Sequence, residues 1–117
     1  MDEQVERRDR AAAERGDLDA MVRLGLLAEQ RGNASEAERR YRWAACDGHT
    51  EAMFRLGGIL QERGESAEAE QWLRRSADVG NVNAVGAVGY LLETRGDLAG
   101  ARVVPRGGRG RRRVLER

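Results

Sequence analysis

Apolar residues recur along the chain at the 3.6-residue spacing of amphipathic helices, and they do so in two kinds of segment. In the first kind, apolar side chains stand at i, i+4 and i+7, as at Ala20, Leu24 and Leu27. In the second kind, the stripe consists mainly of small residues, as at Ala37 and Ala44. The spacing predicts a helix for each segment, and the small residues predict that the second helix approaches its neighbours closely.

The two kinds of segment alternate in a pattern that repeats every 32 residues without a gap. The same residue type returns at matching positions in three successive units. Examples are Ala20, Ala52 and Ala84; Gly25, Gly57 and Gly89; and Arg31-Gly32, Arg63-Gly64 and Arg95-Gly96. A period of this size is typical of arrays in which each helical hairpin packs on its neighbours. The sequence therefore predicts an all-α fold, a short α-solenoid of antiparallel helix hairpins with 32-residue repeats.

Glycines at regular intervals predict where the helices end, because a left-handed residue commonly closes a helix. They are Gly32, Gly64 and Gly96 after the first helices, and Gly16, Gly48 and Gly80 after the second helices. Three residues follow where an N-cap belongs, namely Asn33, Glu65 and Asp97. Asn33 also forms a capping-box-like pair with Glu36. The segment from Asp2 to Arg15 is predicted to be a leading helix.

Part of this pattern resembles a known superfamily. The stretch AACDGHTEAMFRLG, residues 44–57, resembles the junction of Sel1-like repeats. The spacing of tetratricopeptide repeats is shared by Leu24, Gly25, Ala37, Tyr41 and Ala44. The resemblance extends from about Ala12 to Ala101, although the unit is shorter than the 34 residues of a tetratricopeptide repeat and lacks its helix-ending Pro. It implies a non-catalytic scaffold or adaptor whose first helices line a concave groove for a peptide or partner helix.

The register of the repeat identifies the side chains that would line this groove. They are Val22, Arg23, Leu26, Glu29 and Gln30; Phe54, Arg55, Gly58, Gln61 and Glu62; and Gly86, Ala87, Tyr90, Glu93 and Thr94. Arg23 and Arg55 recur at one period and are either forked donors for a partner's carboxylates or solvated helix charges. Leu26, Phe54 and Tyr90 are either anchors for the partner or packing between repeats.

Composition argues against several other classes of protein. The single Cys and single His allow neither a disulfide framework nor a zinc site built from Cys and His. Cys46 and His49 are interpreted as an exposed helix residue and a turn residue, and Gly25, Gly57 and Gly58 as close-packing positions within helices. No apolar run approaches the roughly 20 residues of a membrane span, and the acidic start lacks the features of a signal peptide. We therefore expect a cytoplasmic protein that is not an enzyme and holds no cofactor. The absence of Lys and the single Ile favour a GC-rich bacterial source.

Charge divides the chain near Ala101. Residues 1–100 carry 14 Arg and 19 acids, whereas residues 101–117 carry seven Arg and one acid. We therefore expect a repeat domain over 1–101 and an Arg/Gly-rich, disordered tail over 102–117. The tail offers an alternative function, binding of nucleic acid or another anion, but it has no aromatic residue to stack on bases, and nucleic acid is an unlikely partner.

A frameshift gives another interpretation of the tail. Read one base later, the codons for Val103 to Arg111 can spell Trp-Tyr-Arg-x-Ala-Ala-Glu-Ala-Gly, which parallels residues 72–80. This parallel leads to the hypothesis that a frameshift near Ala101 removed the last second helix. The preceding helix, Asn81 to Arg95, would then leave its apolar stripe uncovered and would fray or self-associate.

Overall fold

A computed structural model describes residues 3–98 of the chain. These residues form six helices and no strand. The helices are α1 (Glu3–Glu14), α2 (Leu18–Gln30), α3 (Ala34–Cys46), α4 (Thr50–Glu62), α5 (Ser66–Asp78) and α6 (Val82–Leu98). The all-helical prediction is confirmed, and the predicted leading helix corresponds to α1. The predictions for residues 102–117, including the frameshift hypothesis, lie outside the described residues.

Each turn between the described helices contains three residues, of which the middle one is a glycine with positive φ. These glycines are Gly16, Gly32, Gly48, Gly64 and Gly80, with φ of 93°, 75°, 96°, 89° and 99°. The residue after each glycine donates its N–H to the carbonyl five positions back, as His49 does to Ala44 at 3.0 Å. This closure uses the left-handed conformation that glycine adopts at little cost. Turns this short make consecutive packed helices antiparallel.

A side chain at the last position of most turns caps the following helix. Its acceptor atom takes the backbone N–H three residues on, at 2.9–3.2 Å. The capping residues are Asp17, Asn33, His49 and Asn81. Glu65 stands at the corresponding position before α5 but forms no capping bond, and its carboxylate pairs with Arg63 instead. The N–H of Asn33 donates to Ala28 in the turn, so the capping-box-like pair with Glu36 has only its first hydrogen bond.

One predicted helix end is wrong. Gly96 was expected to close a helix and Asp97 to begin the next, but α6 runs through both residues to Leu98. Glycine permits a left-handed residue without requiring one. Whether a helix ends at such a glycine therefore depends on tertiary packing, which the local sequence pattern does not determine.

The chain divides into two units between Val85 and Gly86. The first unit contains α1 to α5 and the start of α6, and from the second the structure describes residues 86–98. Within the first unit, each helix from α1 to α4 packs on the helix that follows it in the chain. The largest fully buried side chains are Tyr41, Met21, Leu56 and Leu60. None of the helices in residues 3–98 has the length and apolar character needed to cross a bilayer.

Two helical glycines allow the closest contacts in this core. A Cβ on Gly25 would lie 2.5 Å from Cε1 of Tyr41, and a Cβ on Gly57 would lie 2.7 Å from Cδ2 of Leu73. Both glycines are therefore close-packing positions, as predicted. The same prediction is wrong for Gly58, where a Cβ would meet no atom within 4 Å.

Candidate binding surface

Side-chain contacts bring α2 and α4 together at their amino-terminal ends. His49, the N-cap of α4, lies with Nε2 2.7 Å from Oδ1 of Asp19 on α2. Because Nδ1 of His49 accepts a hydrogen bond from the N–H of Ala52, the ring hydrogen is on Nε2. This Nε2–H donates a hydrogen bond to Asp19. An equivalent contact follows one unit later, where Nδ2 of Asn81 donates to Glu51 at 3.2 Å. Both ring nitrogens of His49 are thus used in contacts that position helices.

Tyr41 lies on α3, the helix that packs on both α2 and α4. Its side chain is fully buried, and its hydroxyl donates to Oε1 of Glu29 on α2 at 2.6 Å. Burial and the hydrogen bond to the Glu29 carboxylate raise the pKa of Tyr41 far above its ordinary value. The charges of Arg55 and Glu51 on α4 also act on this hydroxyl, Arg55 lowering the pKa and Glu51 raising it. Charges from both helices therefore act on one buried hydroxyl.

The predicted groove residues of α2 and α4 differ in their exposure. Val22 is only 6% exposed and belongs to the hydrophobic core, so its side chain is not available to a partner. Leu26 and Phe54 are half-buried. The exposed members of this set are Arg23, Glu29, Gln30, Gly58, Gln61 and Glu62. We call the side chains of residues 26, 29, 30, 54, 58, 61 and 62 the α2–α4 face.

The two arginines of the predicted groove are bound to acids of this chain. Arg23 holds Asp9 of α1 with Nε 3.1 Å from each carboxylate oxygen and a terminal nitrogen 2.9 Å from Oδ1. Asp9 is 4% exposed, and its hydrogen bonds raise the pKa of Arg23. Arg55 donates to Glu51, one turn earlier on α4, at 2.9 Å. Arg55 therefore has the i+4 partner that the sequence allowed, whereas Arg23 is committed to a buried carboxylate on another helix.

The remaining predicted groove residues lie on the part of α6 that belongs to the second unit, and they are Gly86, Ala87, Tyr90, Glu93 and Thr94. The side chain of Tyr90 is 66% exposed, and Glu93 is also exposed. In the repeat register, Tyr90 and Glu93 correspond to Gly58 and Gln61 on α4.

The sequence analysis missed a pair of ionic clusters that join helices. Glu6 contacts Arg10 at 2.7 Å and Arg31 at 2.9 Å. Glu38 contacts Arg42 at 2.8 Å and Arg63 at 2.6 Å. Hydrogen bonds from these arginines lower the pKa of each glutamate to about 2. The sequence contained a signal for these clusters, because their residues recur with a 32-residue period. Glu stands at 6, 38 and 70, and Arg stands at 10, 42 and 74 and again at 31, 63 and 95.

A further set of contacts joins α3 to α5 on the second helices. Arg42 donates to Glu68 at 2.7 Å, and Nε1 of Trp72 donates to the same carboxylate at 3.2 Å. The hydrogen bond from Arg42 is the main cause that lowers the pKa of Glu68. The guanidinium of Arg75 lies over the Trp72 ring, 4.6 Å from its centroid. The Arg42–Glu68 ion pair thus joins α3 to α5.

Residues with reactive or metal-binding side chains form no recognisable centre in the described part of the chain. Within residues 3–98, no group of three or more His, Cys, Asp or Glu side chains is placed to hold a metal ion. Cys46 is an exposed free thiol at the end of α3. Because both nitrogens of His49 have partners, this histidine is not poised as a base for the thiol. Comparison with protein-family models and with curated proteins finds no match for the chain.

Proposed function

We propose that this chain is a short α-solenoid of 32-residue repeats, of the tetratricopeptide and Sel1-like kind, and that it binds another protein without catalysing a reaction. Contacts that return one period later support the proposal. They are Gly25 against Tyr41 and Gly57 against Leu73, Asp19 with His49 and Glu51 with Asn81, and Glu6 with Arg31 and Glu38 with Arg63. In this interpretation the chain acts as a scaffold or adaptor in a bacterial cytoplasm.

The observation that carries the binding role is the composition of the α2–α4 face. Leu26 and Phe54 expose part of an apolar side chain on α2 and α4, the two helices whose charged groups act on Tyr41. Gly58 lies one turn after Phe54 and leaves open space above the helix. Partly exposed apolar anchors with polar groups around them are typical of surfaces that recognise a peptide. The amides of Gln30 and Gln61 supply such polar groups.

A peptide library would test this proposal on the intact chain. Peptides selected from a random phage-displayed library against the full-length protein are measured on three variants. Gly58→Trp fills the open space and should abolish binding of most selected peptides. Gly58→Ala and Ala11→Trp are the controls, because the first leaves the space open and the second places the same bulk on an exposed position of α1.

The comparison separates this face from any other binding surface. If the selected peptides bind the Gly58→Trp variant as tightly as the unchanged chain, the α2–α4 face is not the binding site. Circular dichroism of each variant shows whether the helices are retained, so a loss of binding through unfolding is recognised directly.

A further inference from the structure

We infer that the α2–α4 face selects a positively charged segment of its partner, an inference that rests on the proposed function and specifies the chemistry of that site. One of the two interpretations that the sequence left open for Arg23 and Arg55 was the opposite, a pair of donors for an acidic peptide. The structure shows both guanidinium groups already bound to carboxylates of this chain. The charges that remain for a partner are therefore negative.

Two acids carry this negative charge on the face. Glu29 accepts a hydrogen bond from the neutral hydroxyl of Tyr41, which leaves its charge uncompensated. The carboxylate of Glu62 forms no hydrogen bond or ion pair within residues 3–98, and the residue is exposed. Glu29 lies one turn after Leu26 on α2, and Glu62 lies one turn after Gly58 and two turns after Phe54 on α4. A partner that extends from the anchors toward the carboxyl-terminal ends of the two helices therefore also meets the acids.

The positive charges without an acidic partner lie on other helices. Arg7 and Arg8 are exposed on α1, and Arg39 is exposed on α3. None of these three side chains forms an ion pair within residues 3–98. The helices α2 and α4 together carry four acids and two arginines, and these are Asp19, Glu29, Glu51 and Glu62 with Arg23 and Arg55. These two helices thus carry more acids than arginines even before the pairing of Arg23 with Asp9 is considered.

Binding of an acidic peptide to Arg23 is unfavourable because of desolvation. An acidic peptide that displaced Asp9 from Arg23 would leave a buried carboxylate without its counter-ion, and one that met the exposed part of the guanidinium would face a charge that Asp9 already neutralises. An uncompensated buried charge is strongly destabilising. A basic peptide meets Glu29 and Glu62 without breaking any ion pair of the chain, and complementary charge at the rim also accelerates its association.

The test uses three labelled peptides that share the same leucines and differ only in carrying arginine, glutamate or glutamine between them. Fluorescence anisotropy measures their binding to the full-length chain at low and high salt. The arginine peptide should bind most tightly, and its affinity should fall as salt screens the exposed charges. In the double variant Glu29→Gln/Glu62→Gln the affinity should fall roughly two- to thirtyfold, the sum expected for two exposed ion pairs.

A matched double variant separates a local effect from net charge. Glu14→Gln/Asp78→Asn removes the same two charges from exposed positions on α1 and α5 and should leave the affinity unchanged. An equal loss in both double variants would overturn the inference, because attraction would then follow net charge rather than this face. Glutamine at position 29 keeps an oxygen that accepts from Tyr41, so the fold is preserved.

The peptides also distinguish the inference from the function on which it rests. If the glutamate peptide binds most tightly and Gly58→Trp abolishes that binding, the face binds peptides but the sign of the partner's charge is the reverse of that inferred here. If no peptide binds in a manner that depends on Gly58, the proposed binding face and the inference fail together. Tight binding of the arginine peptide that is lost in Gly58→Trp supports both.

Discussion

Two adjacent glycines in α4 should respond in opposite directions to the same substitution. A Cβ on Gly57 would lie 2.7 Å from Cδ2 and Cγ of Leu73 and 3.3 Å from the carbonyl oxygen of Ala69. A Cβ on Gly58 would meet nothing within 4 Å. Both sites are internal to the helix, so alanine gains a similar helix propensity at each, about 0.8–1 kcal/mol. The two sites therefore differ only in the free-energy cost of packing the new methyl group against its neighbours.

The cost of packing the new methyl group sets the expected difference in unfolding free energy between Gly57→Ala and Gly58→Ala. Gly58→Ala should stabilise the protein by about 0.4–1 kcal/mol, since the new methyl group has room and the unfolded chain loses freedom. At Gly57 the same gain is opposed by overpacking, which typically costs about 1–3 kcal/mol. The Leu73 side chain can move in part, but the Ala69 carbonyl belongs to the backbone of α5. Gly57→Ala should therefore be less stable than Gly58→Ala by about 1–3 kcal/mol.

Urea unfolding followed by circular dichroism measures this difference, and thermal melts provide a second estimate. In a domain of about 60–100 residues, 1 kcal/mol shifts Tm by roughly 4–8 °C. Gly25→Ala extends the series, because its methyl group would meet the ring of Tyr41 at 2.5 Å. That ring is rigid and its hydroxyl is bonded to Glu29, so this variant should be the least stable. Equal stability of Gly57→Ala and Gly58→Ala would refute the helix packing on which the reasoning depends.

Further predictions concern the core and the ion pairs. Leu56→Ala should destabilise by about 2–5 kcal/mol in urea melts, because Leu56 is fully buried, and a change within error would show that it is not. Arg23→Ala should cost about 1–3 kcal/mol by leaving the buried Asp9 carboxylate without its donors, whereas an unchanged urea midpoint would show that water replaces them. The pKa values of Glu6 and Glu38 are lowered from 4.5 to about 2, so the unfolded chain binds more protons between these values. Their contribution to stability is therefore present above about pH 4.5 and is lost as the pH falls toward 2. Glu38→Gln should flatten this part of a stability–pH curve, and an unchanged slope would contradict the assignment.

The helices and turns could be predicted from sequence because their causes are local. A glycine, a capping side chain and an apolar stripe lie within one unit, and five turns are closed as the pattern predicted. The extension of α6 through Gly96 could not be predicted in this way. Whether a helix stops at glycine depends on the packing of the segment that follows.

The partners of the groove residues could not be predicted because they depend on which helices adjoin. Arg23 looked like an exposed helix charge, yet Asp9 from α1 lies within reach of it. The sequence did carry one hint, since the register occupied by the core residues Tyr41 and Leu73 is filled by an acid in the first unit. A buried acid requires a cation nearby. The sequence does not show which cation lies next to this acid, because that depends on how the helices pack.

The identical closure of the turns also bears on how such a chain changes length. Asn33 and Glu65 each return their N–H to the carbonyl five residues back, behind a glycine with the same left-handed backbone. A recombination event that removes residues 33–64 would place Glu65 directly after Gly32 and recreate the same hydrogen bond to Ala28. Crossovers at glycine codons can therefore shorten or extend the array by whole hairpins while every helix keeps its rotational phase.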